Sequence, residues 1–153
     1  DYVILDSFPT RRSSDLTSAG MDGNRVNLLI AVLEKRMGMA LSSCDAYVNV
    51  TGGIKISEPA LDLAVVMAIA GSFRDRVIDA HTVIFGEVGL AGEIRGVSMV
   101  QQRINEAARL GFTCCILPKI SAKDIKIPEG MKCIPVATVK EAAGLSERMN
   151  GRE

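Results

Sequence analysis

The sequence is poor in aromatic residues, which make up 4% of its 153 residues, and it has no Trp. Proteins that hold single-stranded nucleic acid without sequence preference stack the bases on aromatic side chains. We therefore expect no stacking platform of that kind. The formal net charge at pH 7 is +0, so the charge of the whole molecule does not attract it to DNA or to a membrane surface. Zero net charge is still compatible with a local patch of basic residues.

Residues that bind metal ions are also few. The sequence has 1 His and 4 Cys, and none of Cys44, Cys114, Cys115 and Cys133 belongs to a C-x-x-C pair. A zinc site needs several nitrogen or sulfur ligands at short spacing, so we predict no metal site. We interpret the cysteines as small buried side chains in a reducing cytosol. His81 is expected at the surface or at a strand edge.

Long apolar runs are missing as well. No run reaches the ~18 residues that a membrane span needs, because Asp62 interrupts the richest one. A secretory signal pattern is not seen either. We therefore expect a cytoplasmic protein without a membrane partner. Its 48% hydrophobic content is enough to fill the core of one domain.

The first sixteen residues differ from the rest in composition. The stretch "DYVILDSFPTRRSSDL" has no clear helical or strand period beyond "YVIL", and "SFPTRRSSDL" resembles translated sequencing-adapter sequence. We predict a non-native head at residues 1–16, one domain at 17–148 and a frayed tail at 149–153. A natural N-terminal strand followed by a loop is the alternative for the head.

Hydrophobic periodicity predicts an α/β protein built of mixed layers. Helices are predicted at residues 24–37, 59–73, 98–112 and 139–149. Strands are predicted at residues 46–50, 82–88, 92–97, 113–118 and 133–137, with "GLAG" as a hairpin turn. Asp22 or Asn24 can cap the first helix, and Gly38 can end it. Strands that alternate with helices over this length are typical of layered α/β proteins.

The helix predicted at 59–73 begins like a helix that carries a catalytic group. Pro59 suits the first helical position, and Asp62 complements the positive end of the helix. The side chains that follow are apolar around nearly the whole circumference, which predicts burial on most sides. At the point where a nucleophile would be useful, however, the residue is Ala60.

Several common catalytic and nucleotide-binding motifs are absent from the sequence. "TGGIKIS" has the wrong spacing for a G-x-x-x-x-G-K-[ST] phosphate loop. Gly86, Gly89 and Gly92 do not follow the dinucleotide-binding pattern, and turn roles are expected for them. A Ser-His-Asp triad would have to use His81. The arrangement that stays open is a Ser–Lys pair, in which a buried lysine activates a serine.

Three blocks, "GEVGLAGEIRGV", "EAARLGF" and "ILPK", resemble the proteolytic domain of Lon. The resemblance implies the fold of that domain, which is similar to the second domain of a small-subunit ribosomal protein. In Lon-type peptidases the nucleophilic serine follows the proline at the start of a helix, and Ala60 occupies this position here. The position of the catalytic lysine corresponds to Gln101. The resemblance therefore implies a degenerate site, because a methyl group and a carboxamide supply neither nucleophile nor base.

A more specific resemblance extends over residues 17–147. "NRVNLLIAVLEKRMG", "YVNVTGGIKISEPALDLAVVMAIAGSFRDR" and "FGEVGLAGEIRGV" are similar to the C-terminal Lon-like domain of the RadA (Sms) family of bacterial DNA repair proteins. This implies a non-catalytic module that supports assembly of a ring, expected to be a hexamer, on DNA. It also implies action with other recombination proteins in homologous recombination and branch migration. ATP, magnesium and zinc are expected for a whole RadA-type protein but not for this chain, which lacks the motor and zinc-finger motifs.

Basic residues near turns are the candidates for contacts with DNA phosphates. They are Arg74, Arg76, Arg95, Arg103, Arg109 and Lys119. From these we select Arg74 and Arg76, at a helix end, and Arg95, at a strand end, although each is also explained as a solvated surface charge.

Two other functions stay open for the chain as a whole. One is the Lon-like domain of a magnesium-chelatase-like ATPase, which is expected to lack the "GEVGL" and "SFRDR" blocks together. The other is an active Ser–Lys peptidase that uses a displaced serine.

Overall fold

A computed structural model describes the backbone of residues 5–10, 16–19, 22–43, 45–50 and 58–149, and the side chains of residues 22–42 and 58–145. The strands are β1 (Leu5–Thr10), β2 (Leu16–Ala19), β3 (Asp45–Val50), β4 (Thr82–Ile84), β5 (Glu87–Val88), β6 (Ile94–Arg95), β7 (Cys114–Pro118) and β8 (Lys132–Val136). The α-helices are α1 (Gly23–Met37), α2 (Asp62–Phe73), α3 (Val100–Arg109) and α4 (Val139–Met149). The predicted mixture of helices and strands is confirmed. In the described ranges no helix combines the length and the apolar character needed to cross a bilayer.

The described strands form two three-stranded sheets and a hairpin. In the first sheet β3 lies between β1, which is antiparallel to it, and β2, which is parallel. In the second sheet β4, β7 and β8 are all parallel and lie in that order. The hairpin pairs β5 with β6. The predicted head contributes β1 and the first residue of β2, and its separation from the domain at residue 17 stays a prediction.

The parallel sheet has an apolar core on each face. Successive side chains of a strand point to opposite faces, and β7 follows this rule. Ile116 joins a cluster with α1, α2 and α4, whereas Cys115 and Leu117 join a second cluster under α3. The sheet is therefore the middle of three layers, which explains why "TCCILP" is apolar at consecutive positions.

Helix α1 begins and ends close to the predicted residues. The Asp22 side chain accepts a hydrogen bond from the Asn24 N–H at 3.1 Å. Gly38 ends the helix with a φ of 63°, in the left-handed region. The buried side chains are Val26, Leu29, Val32 and Leu33. The cap, the end and the spacing of the buried side chains all depend on residues close in sequence, so the sequence was sufficient for this helix.

The strand predicted at residues 82–88 is wrong as a single strand, because it is divided between the parallel sheet and the hairpin. The Gly86 N–H donates to the Ala60 carbonyl at 2.8 Å, and the Gly86 carbonyl accepts from the Leu63 N–H at 3.0 Å. A Cβ at Gly86 would lie 3.1 Å from the Leu63 side chain, which would have to shift by a few tenths of an ångström, so glycine favours this close approach. The chain thus leaves the sheet to bind the start of α2.

Other predicted elements are present with shorter bounds. A 3-10 turn at Pro59–Leu61 precedes α2, and the helix predicted at 98–112 is limited to Val100–Arg109. Met99, just ahead of α3, has a φ of 59°, which is not helical. Gly111 has a φ of 93°, which agrees with its predicted role as a left-handed residue after the helix.

Candidate functional site

Ala60 stands at the position where the Lon resemblance would require a serine. It is 3% exposed and packs in the apolar cluster under α3 with Phe85 and Ile104. Its N–H donates to the Glu58 carboxylate at 3.1 Å, and its carbonyl accepts from the Gly86 N–H. Both backbone polar groups of Ala60 are thus satisfied inside the protein, and its methyl group contributes to packing.

Gln101, at the predicted position of the lysine, lies in the first turn of α3. Its Nε2 donates to the Lys126 carbonyl at 2.8 Å and to Asn105 Oδ1 at 2.9 Å. Its Oε1 accepts from the Lys126 N–H at 2.8 Å. The carboxamide therefore bonds both backbone groups of Lys126 and fastens the loop between β7 and β8 to α3. The sequence could not show this contact, which joins residues 25 positions apart.

A displaced Ser–Lys pair would need a lysine that burial keeps neutral. Every lysine whose side chain is described is exposed: Lys35, Lys119, Lys123, Lys126, Lys132 and Lys140. Lys55 and Ser57 lie outside the described residues. Within the described side chains, nothing favours the peptidase alternative.

Arg103 covers the surface beside Ala60. Its Nε donates to the Ser98 carbonyl at 2.9 Å, and its guanidinium carbon lies 5.9 Å from the centre of the Phe85 ring. Its Nη2 is 3.5 Å from Glu58 Oε1, the oxygen that also accepts the Ala60 N–H. Arg103 was a candidate for DNA contact, but its guanidinium is largely engaged by these contacts.

Asp62 has a role that the sequence analysis missed. Its side chain is 0% exposed, and its carboxylate accepts hydrogen bonds from Arg25 Nε at 3.0 Å, from Arg25 Nη2, and from the Val88 N–H at 3.1 Å. The hydrogen bond with Asp62 raises the pKa of Arg25, while partial burial acts in the opposite direction. The sequence did contain a signal for this role, since Asp62 is a lone carboxylate in an otherwise apolar helix. A buried charge needs a partner, so the position predicts an ion pair. The pair joins α1, α2 and the hairpin.

The three arginines selected as DNA contacts do not form one patch. Arg74 and Arg76 follow the C-terminal end of α2. Arg95 lies in β6, whose partner β5 is bonded through Val88 to Asp62 at the N-terminal end of α2. Helix α2 has 12 residues, and the two groups are therefore separated by about 18 Å along its axis.

The selected arginines also differ in their partners. Arg95 Nη2 lies 2.9 Å from Glu93 Oε1, and its Nη1 lies 3.8 Å from Glu87 Oε1. Arg74 is partly buried, whereas Arg76 is exposed. In the described part of the chain Arg76 makes no ion pair. Of the three arginines, Arg76 therefore has the guanidinium that is most available to bind a phosphate.

The described cysteines are free thiols; Cys115 belongs to the second core and Cys133 packs against it. Cys115 is 0% exposed and is paired in register with Cys133 on β8. Burial raises the pKa of the Cys115 thiol and that of Cys133. The predicted burial is confirmed for Cys115, whereas Cys114 and Cys133 are partly buried; Cys44 lies outside the described residues. No three His, Cys, Asp or Glu side chains in the described ranges are grouped to hold a metal ion.

His81 lies at the surface, as predicted, ahead of β4. Its Nδ1 is 3.3 Å from Asp79 Oδ1, and both side chains are exposed. In the described structure no serine is bonded to this histidine, so it forms no part of a triad there.

Comparison with known proteins gives one family and a set of close relatives. A model of the family described as subunit ChlI of Mg-chelatase matches residues 22–121, a range that includes both the "SFRDR" and the "GEVGL" blocks. Proteins named DNA repair protein RadA from Halalkalibacterium halodurans and Bacillus subtilis are each 50% identical to the chain over 125 residues, which is 82% of this chain and 27% of theirs. The protein of that name from Streptococcus pneumoniae is 49% identical over 125 residues, or 82% of this chain and 30% of its own length. The chain thus spans less than a third of the curated relatives it matches.

Proposed function

The chain belongs to the family described as subunit ChlI of Mg-chelatase. Within this family, we propose that it is a non-catalytic, Lon-like module of a RadA-type DNA repair protein. The observation that carries the proposal is its 50% identity to DNA repair protein RadA over 82% of its length. The proposal adds to this relationship a Lon-like fold, a role in self-association and a contact with DNA.

The contacts of Ala60 and Gln101 support the non-catalytic part of the proposal. A peptidase would need a hydroxyl and an amine within reach of each other. Ala60 instead fills an apolar cluster, and the Gln101 carboxamide is bonded to the backbone of Lys126. Ala60 has a packing role and Gln101 an anchoring role, and neither role requires a catalytic function. We therefore assign the chain no reaction of its own.

DNA is the partner that we propose, and Arg74, Arg76 and Arg95 are the proposed contacts. Contacts of this kind hold the phosphate backbone and carry no sequence information. Arg76 is exposed and should contribute most. Arg95 should contribute less, because a phosphate would have to compete with Glu93 for its guanidinium.

Self-association into a ring, expected to be a hexamer, is the second part of the proposed role, together with action beside other recombination proteins in the cytoplasm. ATP, magnesium and zinc belong in this proposal to a whole RadA-type protein. The residues of this chain do not fit them: the sequence has no G-x-x-x-x-G-K-[ST] loop. The described side chains also include no group placed to ligate a metal.

A double arginine variant tests the DNA assignment. For Arg74→Ala/Arg76→Ala, we expect weaker binding of the 153-residue chain to a fluorescent duplex. The slope of log K against log salt should decrease by about 1.8, because each phosphate contact contributes about 0.9. Arg36→Ala/Lys140→Ala is a control that removes the same charge at two exposed residues elsewhere. Unchanged affinity and slope in the first variant would remove Arg74 and Arg76 from the assignment, and Arg95→Ala tests the third residue.

Sedimentation measures self-association of the same chain, and a monomer at all concentrations would contradict its proposed role in assembly.

The family match favours a second candidate, a module of a magnesium-chelatase-like ATPase. The two candidates share the module and differ in the protein that contains it. The genomic sequence that precedes the codon of Thr17 separates them. Zinc-finger cysteines followed by a G-x-x-x-x-G-K-[ST] loop would identify a RadA-type protein, and an ATPase motif without the zinc finger would favour the second candidate.

A further inference from the structure

The loop that follows β7 carries three lysines at the carboxyl edge of the parallel sheet. It begins with a 3-10 turn at Lys119–Ser121, and we call residues 119–126 the lysine loop. Lys119, Lys123 and Lys126 are exposed, and Asp124 is the one acidic residue among them. Clustered exposed cations attract anions such as phosphate. The loop therefore has the charge and the exposure of an anion-binding surface.

The ammonium groups of the lysine loop differ from most described arginines in having no carboxylate partner. Ion pairs engage Arg25, Arg95, Arg103 and Arg109. Within the described residues, none of the three lysines of the loop makes an ion pair. A cation that is already bound to a carboxylate must exchange that bond for a phosphate, whereas these lysines exchange only water and counterions.

The lysine loop is also fastened to the protein at two points. Gln101 bonds the carbonyl and the N–H of Lys126, each at 2.8 Å. Near the other end, Ser121 Oγ accepts a hydrogen bond from the Val97 N–H at 3.2 Å. Because the backbone is held in both places, less conformational freedom is lost when the lysines meet a ligand.

The span of the loop is shorter than one turn of B-DNA. Seven residue steps separate Lys119 from Lys126, which limits the distance between their Cα atoms to about 25 Å. Phosphates of B-DNA follow each other at about 3.4 Å along the axis of each strand. The three lysines therefore lie within the span of less than one helical turn, and any phosphates that they contact lie within that span.

We propose that the lysine loop binds the phosphate backbone of DNA, with Gln101 as its positioning residue. The inference rests on the proposed function, since it names a further surface for the same partner. The loop contains no aromatic residue, so the contact is independent of base sequence and sensitive to salt. The residue that occupies the position of a catalytic lysine thus anchors a binding loop.

Two triple variants of the 153-residue chain test this inference. Lys119→Gln/Lys123→Gln/Lys126→Gln should weaken binding to a 30-base-pair fluorescent duplex at least tenfold at 0.1 M salt, and the salt slope should decrease by about 2.7, which is three contacts at about 0.9 each. The matched control replaces the exposed lysines 35, 132 and 140 by Gln and removes the same charge. We expect the control to retain the slope of the unaltered chain.

A charge-neutral variant tests the role of Gln101. Gln101→Ala should weaken DNA binding although no charge changes, because the backbone of Lys126 is released. Gln102→Ala, at the exposed neighbouring position, should bind normally. Circular dichroism checks that each variant remains folded. Normal affinity and salt slope in Gln101→Ala would overturn the positioning role.

The outcomes separate this inference from the function on which it rests. If the loop variant binds DNA as well as the matched control does, the inference is wrong while DNA binding stands. If the unaltered chain binds no duplex at 50 mM salt, both the inference and the proposed DNA contact are wrong. If the loop variant loses affinity for phosphatidylglycerol vesicles but not for DNA, the loop recognises a membrane surface and the inference is overturned.

Discussion

Loss of the Asp62 carboxylate should destabilise the fold strongly, because this group joins three elements. Asp62 is 0% exposed and accepts hydrogen bonds from Arg25 Nε at 3.0 Å and from the Val88 N–H at 3.1 Å. In Asp62→Ala, Arg25 loses its counter-ion and the Val88 N–H loses its acceptor. Both donors have this carboxylate as a partner inside the protein, so its loss lowers the free energy of unfolding.

The size of the effect follows from the burial of the two donors. Removal of one partner of a buried ion pair costs about 3–5 kcal/mol, and an unsatisfied buried N–H costs about 1–3 kcal/mol. The Arg25 side chain is 31% exposed, so water can solvate part of its charge in the variant. We therefore expect a loss of about 3 kcal/mol, a large share of the roughly 5–15 kcal/mol that stabilises a domain.

Urea unfolding followed by circular dichroism measures this loss. Arg25→Ala and the double variant Arg25→Ala/Asp62→Ala complete a double-mutant cycle, in which we expect a coupling energy of about 2–3 kcal/mol. Glu106→Ala breaks the exposed pair with Arg109 and should cost less than about 1 kcal/mol. A loss below about 1 kcal/mol for Asp62→Ala, or additive single variants, would refute the inference that this pair holds α2.

Two further predictions concern glycines and a turn carboxylate. Gly71→Ala should lower the free energy of unfolding by about 1–3 kcal/mol, because its Cβ would lie 2.9 Å from the Arg76 carbonyl oxygen. Gly144→Ala, with no atom within 4 Å of its Cβ, should raise the free energy of unfolding by about 0.5–1 kcal/mol. Thermal midpoints that shift in the same direction in the two variants would contradict this. NMR titration should place the pKa of Glu93 below 4.5, owing first to a hydrogen bond from its own backbone and then to Arg95, and Arg95→Ala should raise it. Because the folded pKa is lowered, this stabilisation is present above the unfolded value and is lost as the pH falls through the folded pKa; an unshifted Glu93 would contradict the geometry.

The sequence was sufficient where structure depends on neighbouring residues. The helix end at Gly38 and the left-handed residue Gly111 were predicted correctly, and Asp22 is the one of the two predicted cap candidates that caps α1. Each depends on contacts within about one helical turn, which residue spacing reveals. The apolar run of β7 was likewise recognised as a buried strand. The resemblance to Lon, and not residue spacing, identified Ala60 and Gln101 as the positions that lack the catalytic serine and lysine.

The tertiary structure decided what those positions do. Arg25 meets Asp62 across 37 residues, and Gln101 meets Lys126 across 25, distances in sequence over which no periodic pattern extends. The division of residues 82–88 between sheet and hairpin arises because Gly86 bonds the start of α2. The separation of Arg74 and Arg76 from Arg95 likewise follows from the length of a packed helix. Periodicity and caps are local properties of the chain, whereas these pairings exist only when distant elements pack against each other.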